Sequence, residues 1–332
     1  MSFKICIVGC GSHSTLFHGP SYARYAGEHN QVVLAACCDR QEHKARDYAN
    51  HFGFRKYDTD MDEMLLREEP DAVCLIAPVE LTCSLAVRIL EKGYPLMLEK
   101  PPGLTRRETM QMIEAADKKK VPNQVAFNRR YFPLTVRLKE IMDRNWKNSD
   151  INYIKYEFFR SGRTDDDFST TAIHGIDMVR HLAGSDYSHI DFAYQEVAAA
   201  KPGTVNIYMN AMFQSGAVSQ LSFCPVAGTV IERASINVYD HSLFVSLPVW
   251  GALDSPGQLL HLNKNRIVLN LSGAELADSD QTFVSNGFYD ENRSFFDDIQ
   301  AGRFSDCNLA TCLQSVDVME CVRDRRSTYR KT

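Results

Sequence analysis

The chain has 332 residues, a length that exceeds one ordinary hydrophobic core and suggests two domains. Apolar residues make up 44% and charged residues 24%, the balance of a soluble globular protein. A formal net charge of −5 lacks the basic excess that nucleic acid or an anionic membrane surface calls for, so neither is an expected partner. No run is long enough to span a bilayer, and Lys4–Val8 leads straight into glycines rather than reading as a signal peptide; the expected location is cytoplasmic. Of ten cysteines, Cys6, Cys37, Cys38 and Cys74 fall in apolar strand-like runs. No C-x-x-C pair occurs, so structural thiols in a reducing compartment are expected, with no metal centre.

In chain order, Lys4–Val8 reads as a strand, followed by Gly9-Cys10-Gly11-Ser12-His13-Ser14 and a helical stretch through Tyr25. Strands at Gln31–Cys38, Ala72–Ile76, Pro95–Leu98 and Gln124–Phe127 alternate with helices at Gln41–His51, Met61–Arg67, Glu80–Lys92 and Arg106–Lys118. In the third of these helices Leu81, Leu85 and Ile89 form a predicted apolar stripe. Such alternation implies βαβ units and a parallel sheet. The glycine loop then has the strand before it and the helix after it that a dinucleotide site requires. Gly9 permits the tight turn, Gly11 lets backbone amides approach a pyrophosphate, and Ser14 takes the third position, usually glycine or alanine.

Asp39 ends the second strand, where an acid accepts hydrogen bonds from a ribose 2′-hydroxyl and favours NAD. It lies 28 residues beyond Gly11, so the first helix or its loop must be longer than usual. Arg40 follows and suits a 2′-phosphate, which keeps NADP open. Glu99-Lys100-Pro101 closes the fourth strand, at the sheet end where ligands collect.

After Phe127 the pattern changes. Helices are predicted at Phe132–Met142 and Ile173–Ala183, with a strand at Ile151–Phe159. Strand-like runs follow at Phe192–Ala200, Thr204–Phe213, Ala217–Phe223, Val230–Tyr239, Ser242–Leu247 and Arg266–Leu271, consistent with an antiparallel sheet. The region from Tyr289 to Arg323 returns to helix. The expected fold is therefore α/β plus α+β: a Rossmann dinucleotide-binding domain over 1–124 and a substrate-binding and oligomerisation domain over 125–332, built on an open, mostly antiparallel sheet. His174, Asp177 and His181 share one face of their helix, opposite a predicted core stripe of Ile173, Ile176, Val179 and Ala183.

In these motifs and their order the chain resembles the glucose–fructose oxidoreductase / inositol dehydrogenase family, Gfo/Idh/MocA. The glycine loop, Asp39, Glu99-Lys100-Pro101, Asn128-Arg129-Arg130-Tyr131, His174-x-x-Asp177 and Tyr289–Phe295 carry the resemblance over nearly the whole chain. It implies NAD(P)-dependent oxidation or reduction of a secondary alcohol on a sugar, cyclitol or related polyol, NAD(H) favoured over NADP(H), and a homodimer or homotetramer formed through the second-domain sheet. Lys100 and His174 would be catalytic, with Asp177 gripping a neighbouring hydroxyl; Thr170, Asn128, Arg129, Arg163 and Tyr289 are further substrate candidates. Gly9, Gly11, Ser12, His13, Ser14, Asp39, Arg40, Ala77, Pro78, Glu99 and Lys100 would face the cofactor.

Two positions depart from the family pattern. Thr170 stands where an aspartate commonly precedes the histidine, with Asp165, Asp166 and Asp167 just upstream, and Thr82 stands where a histidine is often found. A sensor with weakened catalysis, or a member using transient redox on a retained cofactor, is the competing reading.

Overall fold

The computed structural model describes residues 2–331, which divide into two compact units, 2–128 with 287–316 and 129–286 with 317–331. In the first, strands β1 (Phe3–Val8), β2 (Val32–Cys38), β3 (Lys56–Asp58), β4 (Ala72–Leu75), β5 (Leu96–Glu99) and β6 (Asn123–Ala126) alternate with helices α1 (Gly19–Glu28), α2 (Glu42–Phe52), α3 (Met61–Glu68), α4 (Val79–Glu91) and α5 (Arg106–Lys119). The sheet is parallel throughout, in the order β3-β2-β1-β4-β5-β6. That order places a topological switch point between β1 and β4, with one mononucleotide half on either side. Central strands β1 and β4 are buried almost throughout, which is why they read as unbroken apolar runs rather than alternating ones.

The second unit contains α6 (Pro133–Asn145), β7 (Ile151–Phe159), α7 (Ser169–Ala183), β8 (Tyr187–Glu196), β9 (Val205–Phe213), β10 (Val218–Cys224), β11 (Ile231–Val238), β12 (His241–Ser246), β13 (Gln258–Asn263), β14 (Arg266–Ser272), and the short helices α8 (Gly273–Leu276) and α9 (Thr282–Ser285). Helices α10 (Phe288–Gln300) and α11 (Leu309–Arg323) and strand β15 (Thr328–Arg330) complete the chain. Nine strands form one sheet, β14-β13-β12-β11-β7-β10-β9-β8-β15, antiparallel except where β10 runs parallel to β7.

The division differs from the expected break at 124/125. It falls after Asn128, and residues 287–316, expected in the second domain, belong to the first unit. Aromatic packing accounts for the return: Phe296 of α10 lies 6.1 Å from Phe3, 6.0 Å from Tyr22 and 5.0 Å from Tyr25 between ring centroids. Two further expectations are corrected. Helix α4 buries Thr82, Ala86, Ile89 and Leu90, whereas Leu81 is exposed, so the apolar stripe is rotated from Leu81-Leu85-Ile89. Helix α7 is buried on most sides, Gly175 included; a Cβ there would stand 2.7 Å from the Phe223 ring. It therefore has no separate polar face, and its polar residues are enclosed with the rest.

Candidate active site

The glycine loop leaves β1 at Gly9, whose φ of +107° and close approach to β4 both require glycine: a Cβ would lie 1.9 Å from the Ile76 carbonyl oxygen. A Cβ on Gly11 would meet nothing within 4 Å, so this part of the loop borders open space. The amides that begin the following helix lie beside it and have no intrahelical acceptor, the arrangement that receives a phosphate. Ser14 is fully buried and donates to the Tyr48 hydroxyl at 2.9 Å, filling the packing role of the third glycine. Asp39 is fixed by two backbone amides, Cys10 N on Oδ2 at 3.1 Å and Gln41 N on Oδ1 at 2.9 Å. Lone pairs remain on both oxygens for a ribose diol. Arg40 and Ser12 are exposed, and Ala77 and Pro78 follow β4 at the switch point. These features fit a dinucleotide.

The helix after the loop opens with an α turn, Thr15 N donating to Gly11 O at 2.9 Å, and then widens. Ser14–His18 is a π turn, closed by Gly19 N donating to Ser14 O. In an α-helix, residues five apart point about 140° away from each other; the wider turn brings His13 and His18 toward one side. Their Nε2 atoms lie 3.0 and 2.8 Å from Glu99 Oε1 at the end of β5, while Glu99 Oε2 accepts from Lys100 N at 3.0 Å. Burial alone would raise the Glu99 carboxyl, but the two imidazoles outweigh it and hold it well below the usual carboxylate range.

His13, His18 and Glu99 bring their ligand atoms within 4.8 Å of one another, close enough for a metal. The hydrogen bonds point elsewhere. Asn292 Nδ2 donates to Phe288 O at 2.7 Å, which orients the amide, and the same nitrogen lies 3.2 Å from His18 Nδ1. His18 Nδ1 therefore accepts, and Nε2 carries the proton that it gives to Glu99. The trio is a donor–acceptor network around a carboxylate.

Neither His18 nor Asn292 was among the expected cofactor residues. A histidine just past a glycine loop was the available signal, but only the π turn aims it at Glu99. Tyr289, an expected substrate residue, is placed differently: it is buried, its hydroxyl donates to Glu28, and the Arg24 guanidinium covers its ring at 4.2 Å, which joins α10 to α1. Asn128 is buried at the end of the first unit.

In the second unit, α7 carries Thr170 in its first turn, His174 one turn later and Asp177 after it. His174 is 7% exposed and Asp177 1%. The Asp177 carboxylate is held by Arg130 in a fork, at 2.8 Å from Nε and 2.6 Å from Nη2. Burial pushes its carboxyl up, but Arg130, Arg180 and His181 together hold it below the usual range. Thr170 Oγ1 donates to the Asp167 carbonyl at 3.0 Å. Of the three upstream acids, Asp165 pairs with Arg163, Asp166 with Lys201, and Asp167 accepts from Ser169 N at 3.0 Å. Arg163 also donates to Thr171 Oγ1 at 3.1 Å.

Arg129, another expected substrate residue, is buried in a structural cluster instead. Its Nε and Nη2 reach Glu232 at 2.9 and 2.7 Å, Arg160 pairs with the same carboxylate, and the Tyr156 hydroxyl donates to it at 2.9 Å. The two arginines hold the Glu232 carboxyl down at about 2 against the opposing effect of burial.

Residues 3–127 match the family model of the Gfo/Idh/MocA oxidoreductases, described as an oxidoreductase family with an NAD-binding Rossmann fold. Over these residues the chain is similar to the NAD-binding domain of that family. Over 139 residues it is 30% identical to "Oxidoreductase P35" of Formosa agariphila, covering 42% of each chain. Over 137 residues it is 28% identical to "D-glucoside 3-dehydrogenase" of Escherichia coli, covering 41% of this chain and 38% of that protein. The matches thus span less than half the length of either relative. A dehydrogenase from Chromobacterium violaceum has the same fold, with a TM-score of 0.81 at 19% identity over 96% of this chain and 94% of that one. Among the described residues no helix is long and apolar enough to cross a membrane.

Proposed function

We propose that this protein is an NAD(P)-dependent oxidoreductase acting on a secondary alcohol of a sugar, cyclitol or related polyol, with NAD(H) the favoured cofactor. The observation that carries the reading is the glycine loop at the β1/β4 switch point together with Glu99-Lys100 at the end of β5. Support for the substrate class comes from the relative named for a D-glucoside.

Gly9, Gly11, Ser12, His13 and Ser14 form the pyrophosphate side of the site, Asp39 with Arg40 the adenosine-ribose side, and Ala77, Pro78, Glu99 and Lys100 the nicotinamide side. The bound nicotinamide supplies the hydride acceptor or donor. Lys100 stabilises the charge that develops on the substrate oxygen, which a fixed ammonium does without reorganisation. His174 removes the hydroxyl proton in oxidation and returns it in reduction. Asp177 keeps a role in orienting substrate, shared with its hold on Arg130. Asn128, Thr170 and Arg163 remain candidate substrate contacts. The anchoring of Asp39 by two amides favours the ribose diol, and thus NAD, because a 2′-phosphate would meet a fixed negative charge.

One observation supports the weakened-catalysis reading: Thr170 turns back to the Asp167 carbonyl and brings no carboxylate to His174. Oligomers form through the outer face of the large sheet, where Met212, Val218 and Phe244 are exposed. Ten free cysteines support a reducing, cytoplasmic setting. The test is titration with NAD(H) and NADP(H), followed by a sugar and cyclitol panel read at the nicotinamide absorbance. Dinucleotide-dependent turnover sustains the enzyme reading, while binding without turnover across the panel moves the assignment to a sensor.

A further inference from the structure

We infer that Asn292 of α10 is a positioning residue for the nicotinamide half of the site: through His18 and Glu99 it fixes the backbone at Lys100. The inference rests on the reading of the first unit as a nicotinamide dinucleotide site.

Helix α10 packs an apolar stripe that includes Phe288, Phe295 and Phe296, all buried. Asn292 falls on the same stripe, four residues after Phe288, where an amphipathic helix ordinarily carries an aliphatic or aromatic side chain. It is fully buried, and its Oδ1 meets no donor among the described residues. A buried amide with an idle oxygen costs stability that an aliphatic side chain would not. What it supplies is its Nδ2, which donates to Phe288 O at 2.7 Å and stands 3.2 Å from His18 Nδ1.

From His18 the contacts run on to Lys100. The His18 side chain is 1% exposed, with Phe288 and Tyr22 at 5.6 and 6.1 Å between ring centroids. Both of its ring nitrogens are engaged, Nδ1 by Asn292 and Nε2 by Glu99 Oε1 at 2.8 Å. The other oxygen of that carboxylate accepts from Lys100 N at 3.0 Å. His13 also reaches Oε1, but its side chain is 41% exposed, so the enclosed support of Glu99 comes from His18. An imidazole held at one nitrogen alone can swing about its Cβ–Cγ bond. With Asn292 in place the ring is held at both, and the carboxylate that rests on it is held as well.

The adenosine half is anchored independently. Asp39 is fixed by Cys10 N and Gln41 N, and the turns after the glycine loop close through backbone bonds, Thr15 N to Gly11 O and Gly19 N to Ser14 O. None of these bonds uses the side chain of His18 or Asn292. Loss of the Asn292 amide therefore acts on the nicotinamide end and spares the rest.

The experiment compares NADH with ADP-ribose, which keeps the adenosine, the pyrophosphate and the second ribose and lacks the nicotinamide ring. Dissociation constants are measured by calorimetry for the unmodified protein, for Asn292→Leu and for the smaller Asn292→Ala, with thermal melting to show which variants are folded. The expected result is an NADH affinity lowered about tenfold in the folded variants, with ADP-ribose affinity unchanged within about twofold. In a Glu99→Gln background the same substitution should add nothing, because the link it breaks runs through that carboxylate. Equal loss of both ligands, no loss of NADH affinity, or an additive loss with Glu99→Gln overturns the inference and leaves the dinucleotide site standing. Failure of both variants to fold shows a structural role instead and likewise overturns it. Failure of the unmodified protein to bind NADH overturns the site reading, and this inference with it.

Discussion

His18 Nε2 stands 2.8 Å from Glu99 Oε1 and ties the π turn after the glycine loop to the end of β5. Two segments expected to shape the cofactor site, 81 residues apart in the chain, are thereby held by one partly buried carboxylate. Glu99→Gln replaces an acceptor-only carboxylate with an amide that presents two donors as well, so it cannot satisfy both imidazole N–H groups and the Lys100 amide in the same way. The expected outcome is a loss of about 1–3 kcal/mol in stability with dinucleotide affinity lowered about tenfold or more. Chemical denaturation and cofactor titration read the two effects, and an unchanged midpoint with unchanged affinity would show that the network holds nothing in place.

Lys100→Met tests the catalytic assignment. It keeps much of the side-chain length and removes the charge, so turnover should fall by about a thousandfold while the dissociation constant for the preferred cofactor changes little. Steady-state rates and a binding titration on the same preparation separate the two, and normal turnover would remove Lys100 from the mechanism.

The carboxylate of Asp39 is held in place by Cys10 N and Gln41 N. Asp39→Ala should weaken NAD binding more than NADP binding, since the charge that repels a 2′-phosphate is removed with the diol acceptor. The opposite change in paired titrations would transfer the preference to NADP.

Glu232 contributes to stability in a pH-dependent way. Its carboxyl is depressed to about 2 in the folded chain, below the unfolded value. A depressed acid stabilises the fold above its unfolded pKa, and that contribution, up to about 3 kcal/mol, is lost as pH falls through the folded value. Denaturant melts between pH 6 and pH 3 should show a smaller acid-induced loss in Glu232→Gln than in the unmodified protein. At pH 7 the same variant should be less stable by about 3–5 kcal/mol, because Arg129 and Arg160 lose the charge between them.

Much of this architecture is legible because local pattern and tertiary role agree. Strands β1, β2 and β4 are short apolar runs ended by glycine, an acid or a turn, and their burial on both faces leaves no other reading. Asp39 and Lys100 are likewise placed by strand ends, which sequence marks well. Where packing decides, the sequence is silent. Strand β3, Lys56–Asp58, is a mostly exposed edge strand of three residues without an apolar signature, and β13 and β15 were also not anticipated. The convergence of His13 and His18 depends on one π turn, which has no compositional mark. Arg129 and Tyr289 carry suitable chemistry for substrate, yet their partners, Glu232 and Glu28, lie 103 and 261 residues away. No local pattern reports such distant pairing.

The most direct measurement is a fluorescence titration of the purified protein with NADH and NADPH, followed by a panel of sugars and cyclitols monitored at the nicotinamide absorbance band. Saturable binding, tighter for NADH, with a substrate-dependent absorbance change that disappears in Lys100→Met, is the result expected of an NAD-dependent oxidoreductase. Absence of binding by either dinucleotide would contradict the assignment of the glycine loop, Asp39 and Glu99 to a cofactor site.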